Sequence, residues 1–131
     1  MTRDDVIREF MQGRNCAQCV LGAYAGETGY DPEETDRVAS CFGGGMLMGQ
    51  TCGAVTGALM AVGLLGGGRE QTLEFEKQFQ ERFGTCVCQE LLDHIPLAQA
   101  KESGKMLEVC PNYVKAAVEI VDGIMGVDGH I

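Results

Sequence analysis

Cysteine is the residue type with the most chemistry to offer in this chain, at Cys16, Cys19, Cys41, Cys52, Cys86, Cys88 and Cys110. Their number, 7, is odd, so complete internal pairing is impossible and at least one thiol must be free, joined to another chain or bound to metal. At 7 in 131 residues they fall well short of the roughly 8–10% that marks a small disulfide scaffold. Thiolates serve as nucleophiles, redox groups and soft-metal ligands, and local spacing separates these uses only in part. In Cys16-Ala17-Gln18-Cys19 the two thiols would share a helix face, but a thioredoxin-like use requires a βαβ setting that the sequence does not show. Cys86 and Cys88 are two apart, about 200° around a regular helix, and would serve one metal only from an irregular first turn. No second C-x-x-C completes a zinc finger, and His94 and His130 stand alone and read as surface residues. No C-x-x-C-H marks covalent haem, and no general acid–base pair or triad is visible.

The elements that must position these thiols read as helices. Asp4 to Gln12 carries Val6, Ile7, Phe10 and Met11 as an apolar stripe. Asn15 is placed to cap a helix running to about Glu27, with Gly29 near its end. Asp31, Pro32 and Glu34 supply a cap, a first-turn proline and a first-turn acid for a helix that should stop before Gly43-Gly44-Gly45. Thr51 is the expected cap of an apolar helix from Cys52 to Leu65, ended by Gly66-Gly67-Gly68. Arg69 to Phe83 carries Leu73, Phe75, Phe79 and Phe83, a stripe for the core, and Gly84 ends it. Thr85 can cap a short helix through Leu91-Leu92, Pro96 closes that region, and Ala98 to Glu108 is polar and ambiguous. Cys110-Pro111 is expected to open the last helix, whose Val114, Ala117, Val118, Val121 and Ile124 share a face. The expectation is an all-α fold: a single-domain, cysteine-rich bundle of six or seven short helices over residues 1–131, undivided by a linker or repeat.

On this map four predicted helix starts carry cysteine: Cys16 after Asn15, Cys52 after Thr51, Cys86 and Cys88 after Thr85, and Cys110 before Pro111. A helix start presents unpaired N–H groups and a partial positive charge, which favour thiolate over thiol. One buried cysteine is ordinarily a small hydrophobe; four at helix starts predict a set, and if the starts converge the site is built for thiolate chemistry. Gly43-Gly44-Gly45 is followed by no Gly-Lys-Ser/Thr and preceded by no strand, so nucleotide binding is not expected. A flexible turn that lets Cys52 approach the other thiols is.

Composition narrows the partners. A net charge of −9, from 10 Lys+Arg against 19 Asp+Glu, excludes a nucleic-acid binder that works by neutralising phosphates. No charge occurs between Arg37 and Arg69, but only Cys52 to Leu65 is continuously apolar, short of the ~20 residues that cross a bilayer. A buried core helix is expected there, and no membrane partner. Gly49, Gly53 and Gly57 would form a smooth strip for close backbone packing, inside the chain or across the two-fold of a homodimer. The opening Met1-Thr2-Arg3-Asp4-Asp5 lacks the pattern of a secretory signal, and a cytoplasmic protein with mostly reduced thiols is expected.

Five segments then resemble the C_GCAxxG_C_C family of redox-active proteins: Asn15-Cys16-Ala17-Gln18, Phe42-Gly43-Gly44-Gly45-Met46, Thr51-Cys52-Gly53-Ala54-Val55-Thr56-Gly57-Ala58-Leu59-Met60, Cys88-Gln89-Glu90-Leu91-Leu92 and Cys110-Pro111-Asn112-Tyr113-Val114. The matches run in order from Asn15 to about Val118. In the central block glycine follows Cys52, as Gly53, instead of directly preceding it. The resemblance places the family's four spaced cysteines on Cys16, Cys52, Cys88 and Cys110 and leaves Cys19, Cys41 and Cys86 as extras, with Cys86 or Cys88 facing the site. The family is similar in part to the cluster-bearing portion of split-Soret cytochromes, which implies a scaffold able to hold an iron–sulfur centre. The expectation is a redox or electron-transfer protein in which Cys16, Cys52, Cys88 and Cys110 ligate an iron–sulfur cluster and exchange electrons with an unidentified redox partner. Two alternatives use the same thiols: metal-free thiol–disulfide exchange through Cys16 with Cys19 or Cys52 with Cys88, and binding of zinc or another soft metal.

Overall fold

A computed structural model describes residues 2–127. Helix α1 (Arg3–Met11) starts at a capping box: Thr2 Oγ1 accepts from the Asp5 amide (3.1 Å) while the Asp5 carboxylate accepts from the Thr2 amide (2.9 Å). Asn15 and Gln18 repeat the arrangement at α2 (Cys16–Gly22), both bonds 2.9 Å. Such caps contribute about 1 kcal/mol each and fix where Cys16 begins its helix. The single helix expected to run to about Glu27 is broken at Tyr24, whose φ of −106° and ψ of 14° leave the helical region. That ring is fully buried, and its hydroxyl donates to Val118 O (2.9 Å) and to Asp122 (2.7 Å), a long-range anchor that no local pattern reveals. The chain restarts as α3 (Ala25–Thr28), which Gly29 ends at φ +73°. Asp31 caps α4 (Pro32–Ala39) as expected.

Helices α5 (Gly53–Leu64), α6 (Arg69–Phe83), α7 (Cys88–Leu91), α8 (Leu97–Glu102) and α9 (Lys105–Met125) complete the all-α fold. Among the described residues there are nine such helices, more than the expected six or seven because short ones split off. The extended backbone pairs only as an isolated antiparallel bridge between Thr51 and Val87. No helix of the described residues is long and apolar enough to cross a membrane.

Helix α9 is the axis, packing on α1, α2, α5, α6 and α8 with Val114, Ala117, Val118 and Val121 fully buried. It begins at Lys105, so the expected start at Cys110-Pro111 is corrected: Pro111 lies inside the helix. An interior proline forfeits a backbone hydrogen bond and costs roughly 3 kcal/mol; the buried face that follows it holds the helix together through that loss.

Helix α5 packs chiefly on α2, and the glycine strip is the reason. A Cβ on Gly57 would lie 2.6 Å from the Ala17 carbonyl oxygen, and one on Gly53 3.1 Å from the Cys16 Cβ. The strip is therefore consumed within the chain, although Gly49 lies outside the helix. On α6, Phe75 and Phe79 are fully buried and Phe83 packs edge-on against Tyr113 at 4.9 Å, whereas Leu73, 52% exposed, falls off the stripe.

Candidate functional site

Cys16, Cys52, Cys88 and Cys110 come from four different helices and are each buried, and all four line one cavity of about 630 Å³. Cys16 is the first residue of α2, Cys88 the first of α7, and Cys52 is the residue that caps α5, a place the sequence had suggested for Thr51. Cys110 is the exception, in the second turn of α9 and not at a helix start.

Backbone pairing holds one half of the site. At the Thr51–Val87 bridge the Cys52 amide donates to Cys86 O (2.7 Å) and the Cys88 amide to Gln50 O (2.5 Å), so both thiols flank the same rung. The preceding turn supports that rung. Gly44, Gly45, Met46 and Leu47 run consecutively in left-handed conformation, φ between 58° and 61°, and the Gln50 amide closes on Gly45 O at 3.2 Å. Left-handed backbone costs roughly 1–2 kcal/mol per non-glycine residue, here Met46 and Leu47. The run of glycines was expected as a flexible turn; it is a defined one, because a Cβ on Gly45 would lie 2.4 Å from the Gln50 amide nitrogen.

The other half rests on side-chain packing. Asn15 Nδ2 donates to Ala39 O (3.3 Å) and Ser40 O (3.0 Å), tying the start of α2 to the end of α4, and Cys16 and Cys110 both face the cavity from α2 and α9. Tyr113, one turn after Cys110, lines the cavity and donates from its hydroxyl to Leu91 O at 2.7 Å, which fastens α7 to α9. Its spacing of three from Cys110 on a helix is the sequence signal that places Tyr113 beside the site.

Electrostatically the helix starts do not behave as expected. Burial pushes Cys52 up to about 12, against the lowering pull of the Ala54 and Val55 amides, and with further upward pressure from the Cys110 and Cys88 charges. Burial likewise takes Cys88 to about 11. The hydrogen bond to Cys110 raises Cys16 well above an ordinary thiol, and burial adds to it. Cys110 alone is lowered, because the Cys16 thiol stabilises its thiolate against the opposing cost of burial. Desolvation outweighs a helix-end charge when thiols are this buried, and Cys16 and Cys110 shift each other in opposite directions.

The remaining cysteines stand apart. Cys19 is buried off the cavity, pushed up to about 12 first by burial and then by Glu9. The Cys86 sulfur accepts from Gln80 Nε2 at 3.8 Å and is outside the cavity lining, so Cys88 is the member of that pair that faces the site. Cys41 is exposed and lies at the cavity's rim. His94 is exposed, and His130 lies outside the described residues. Among the described residues no three His, Cys, Asp or Glu side chains stand close enough to hold one metal ion. The four thiols surround a space and do not meet at a point.

A family model described as "Putative redox-active protein (C_GCAxxG_C_C)" matches residues 14–124, which include all four cavity cysteines. The chain belongs to the C_GCAxxG_C_C family. No curated protein and no solved structure matches it.

Proposed function

We propose that this chain is an electron-transfer protein in which Cys16, Cys52, Cys88 and Cys110 hold an iron–sulfur cluster. The observation that carries the reading is the arrival of four thiols from four helices on one cavity of about 630 Å³. A [4Fe–4S] cluster binds each of four thiolates to a different iron, so it asks for sulfurs spread around a space, whereas a single zinc asks for sulfurs about 2.3 Å from one centre. The donor set is the all-cysteine set that iron–sulfur centres use. When bound, the cluster would supply one-electron chemistry. The protein's part is to surround it with apolar side chains such as Leu91 and Leu92 and to aim the Ala54 and Val55 amides at the Cys52 sulfur, which favours added negative charge. Anaerobic purification should give brown protein with iron and acid-labile sulfide in comparable amounts; colourless protein with neither removes the reading.

A second reading has its own observation, the Cys16–Cys110 couple. The Cys110 thiolate would attack a partner disulfide and release one partner thiolate. The Cys16 sulfur, on losing its proton, would then displace the second, leaving Cys16–Cys110 oxidised and the partner reduced by two electrons. The pairings expected from sequence were Cys16 with Cys19 or Cys52 with Cys88; Cys19 lies off the cavity, whereas Cys16 and Cys110 both line it. Mass spectrometry of linkages after mild oxidation tests this: a reversible Cys16–Cys110 bond supports it, and its absence removes it.

A further inference from the structure

The cavity extends beyond its buried cysteines to an exposed rim that the cluster reading leaves without a role. Met11, Leu47, Lys101 and Leu107 are exposed members of the lining, and Leu97 is a half-buried one. Two features of that rim point to an occupant. Leu47 is 81% exposed, yet the backbone holds it left-handed at φ 58°, a conformation leucine adopts at a cost and keeps only where the surroundings enforce it. Leu97 adjoins it across Gly44: a Cβ at Gly44 would be in ordinary contact, 3.5 Å, with both the Leu47 and Leu97 side chains. The second feature is charge. Acids outnumber bases 19 to 10 in the chain, but no described Asp or Glu lines the cavity; its charged lining residues are Arg14 and Lys101. Arg14 is neutralised by Glu9 and Asp36, both at 2.7 Å, whereas Lys101 makes no salt bridge among the described residues.

We infer that the rim of the cavity is a binding site for a small amphipathic organic anion, its apolar body among Leu47, Leu97 and Met106 and its anionic end at Lys101. An apolar lining with one well-placed charge is the usual composition of small-molecule sites, and the rim has it. A carboxylate at Lys101 answers the one positive charge left without a counter-ion on the lining, and an alkyl chain covers the exposed leucines. The inference uses the rim and stands apart from what the cysteines bind.

Calorimetric titration of the protein as purified, with octanoate, octylamine and octanol, tests it. Octanoate should bind at least tenfold more tightly than octylamine. Lys101→Glu should weaken octanoate at least tenfold without weakening octanol. Leu47→Ser should weaken both octanoate and octanol. Lys77→Glu, an exposed charge away from the cavity, should leave octanoate binding unchanged. Both Lys101 and Leu47 are exposed, so neither variant threatens folding. Absence of octanoate binding, equal binding of octylamine, or an unaltered Lys101→Glu variant would each overturn the assignment. Iron measured in the same samples keeps the questions separate: octanoate binding without iron removes the cluster and leaves the pocket, and iron without octanoate binding does the reverse.

Discussion

The cavity's four cysteines are positioned as two pairs, Cys52 with Cys88 and Cys16 with Cys110, and the two pairs are held by different forces. Cys52 and Cys88 flank a backbone rung, with their own amides bonded to Cys86 O and Gln50 O. Cys16 and Cys110 are brought together by the packing of α2 on α9, close enough that each thiol shifts the ionisation of the other. The first pair is positioned whatever its thiols do, while the second is positioned partly by thiol chemistry itself. A site that must keep its shape with and without a bound group, or in two oxidation states, needs the first kind of support. One whose protonation or pairing changes needs the second.

The contrast can be broken from either side. Gly45→Ala attacks the rung, because its Cβ would lie 2.4 Å from the Gln50 nitrogen in left-handed backbone. The left-handed cost of about 1–2 kcal/mol and an overpacking cost of about 1–3 kcal/mol predict roughly 3 kcal/mol of lost stability in urea titration. Gly57→Ala attacks the other side by wedging α5 from α2 at the Ala17 carbonyl, with an expected loss of about 1–3 kcal/mol. The two variants should differ in kind: Gly45→Ala should disturb Cys88 and Cys52 first, and Gly57→Ala Cys16 first, as read by which thiols label fastest. Next in size, Cys16→Ser weakens the donor that lowers Cys110. Alkylation of Cys110 in metal-free protein at pH 7 should slow, because less of it is thiolate, whereas Cys88→Ser should leave that rate near its starting value. Smallest is Tyr113→Phe, which removes the hydroxyl bond to Leu91 O and about 1 kcal/mol with it, loosening α7 against α9.

The raised thiols also set a pH dependence. Cys16, Cys19, Cys52 and Cys88 keep their protons in the folded metal-free chain to higher pH than they would when unfolded. Above the ordinary thiol value of about 8.5 the unfolded chain therefore binds fewer protons, and folding stability falls as pH rises from there towards 11 to 12. Cys86 is raised too, and Cys110 works in the opposite direction, one group against five. Urea midpoints of reduced, metal-free protein measured from pH 7 to 10 should decline above pH 8.5, and a constant midpoint would contradict these shifts.

Helices with local signals were legible in the sequence: Thr2 aside, the caps at Asn15 and Asp31, the Phe75–Phe79 stripe and the Gly53–Gly57 strip all have their cause within a few residues. The choice of Cys16, Cys52, Cys88 and Cys110 came through the family motifs, and all four line one cavity. Features with non-local causes were not legible. Tyr24 breaks a helix because Val118 and Asp122 hold its hydroxyl. The Thr51–Val87 rung joins residues 36 apart. Pro111 reads locally as a helix opener, yet tertiary packing carries α9 back to Lys105. The ionisation order was misjudged for the same reason: a helix start is visible in sequence, and the burial that outweighs it is not.

The central claim is that four thiols, and not the other three, hold a cluster. Iron and acid-labile sulfide per chain should be measured in anaerobically purified protein and in the single Cys→Ser variants of all seven cysteines. The account predicts that Cys16→Ser, Cys52→Ser, Cys88→Ser and Cys110→Ser lose most of both, while Cys19→Ser, Cys41→Ser and Cys86→Ser retain them. Iron and sulfide absent from the parent protein, or lost equally from both groups of variants, would contradict it.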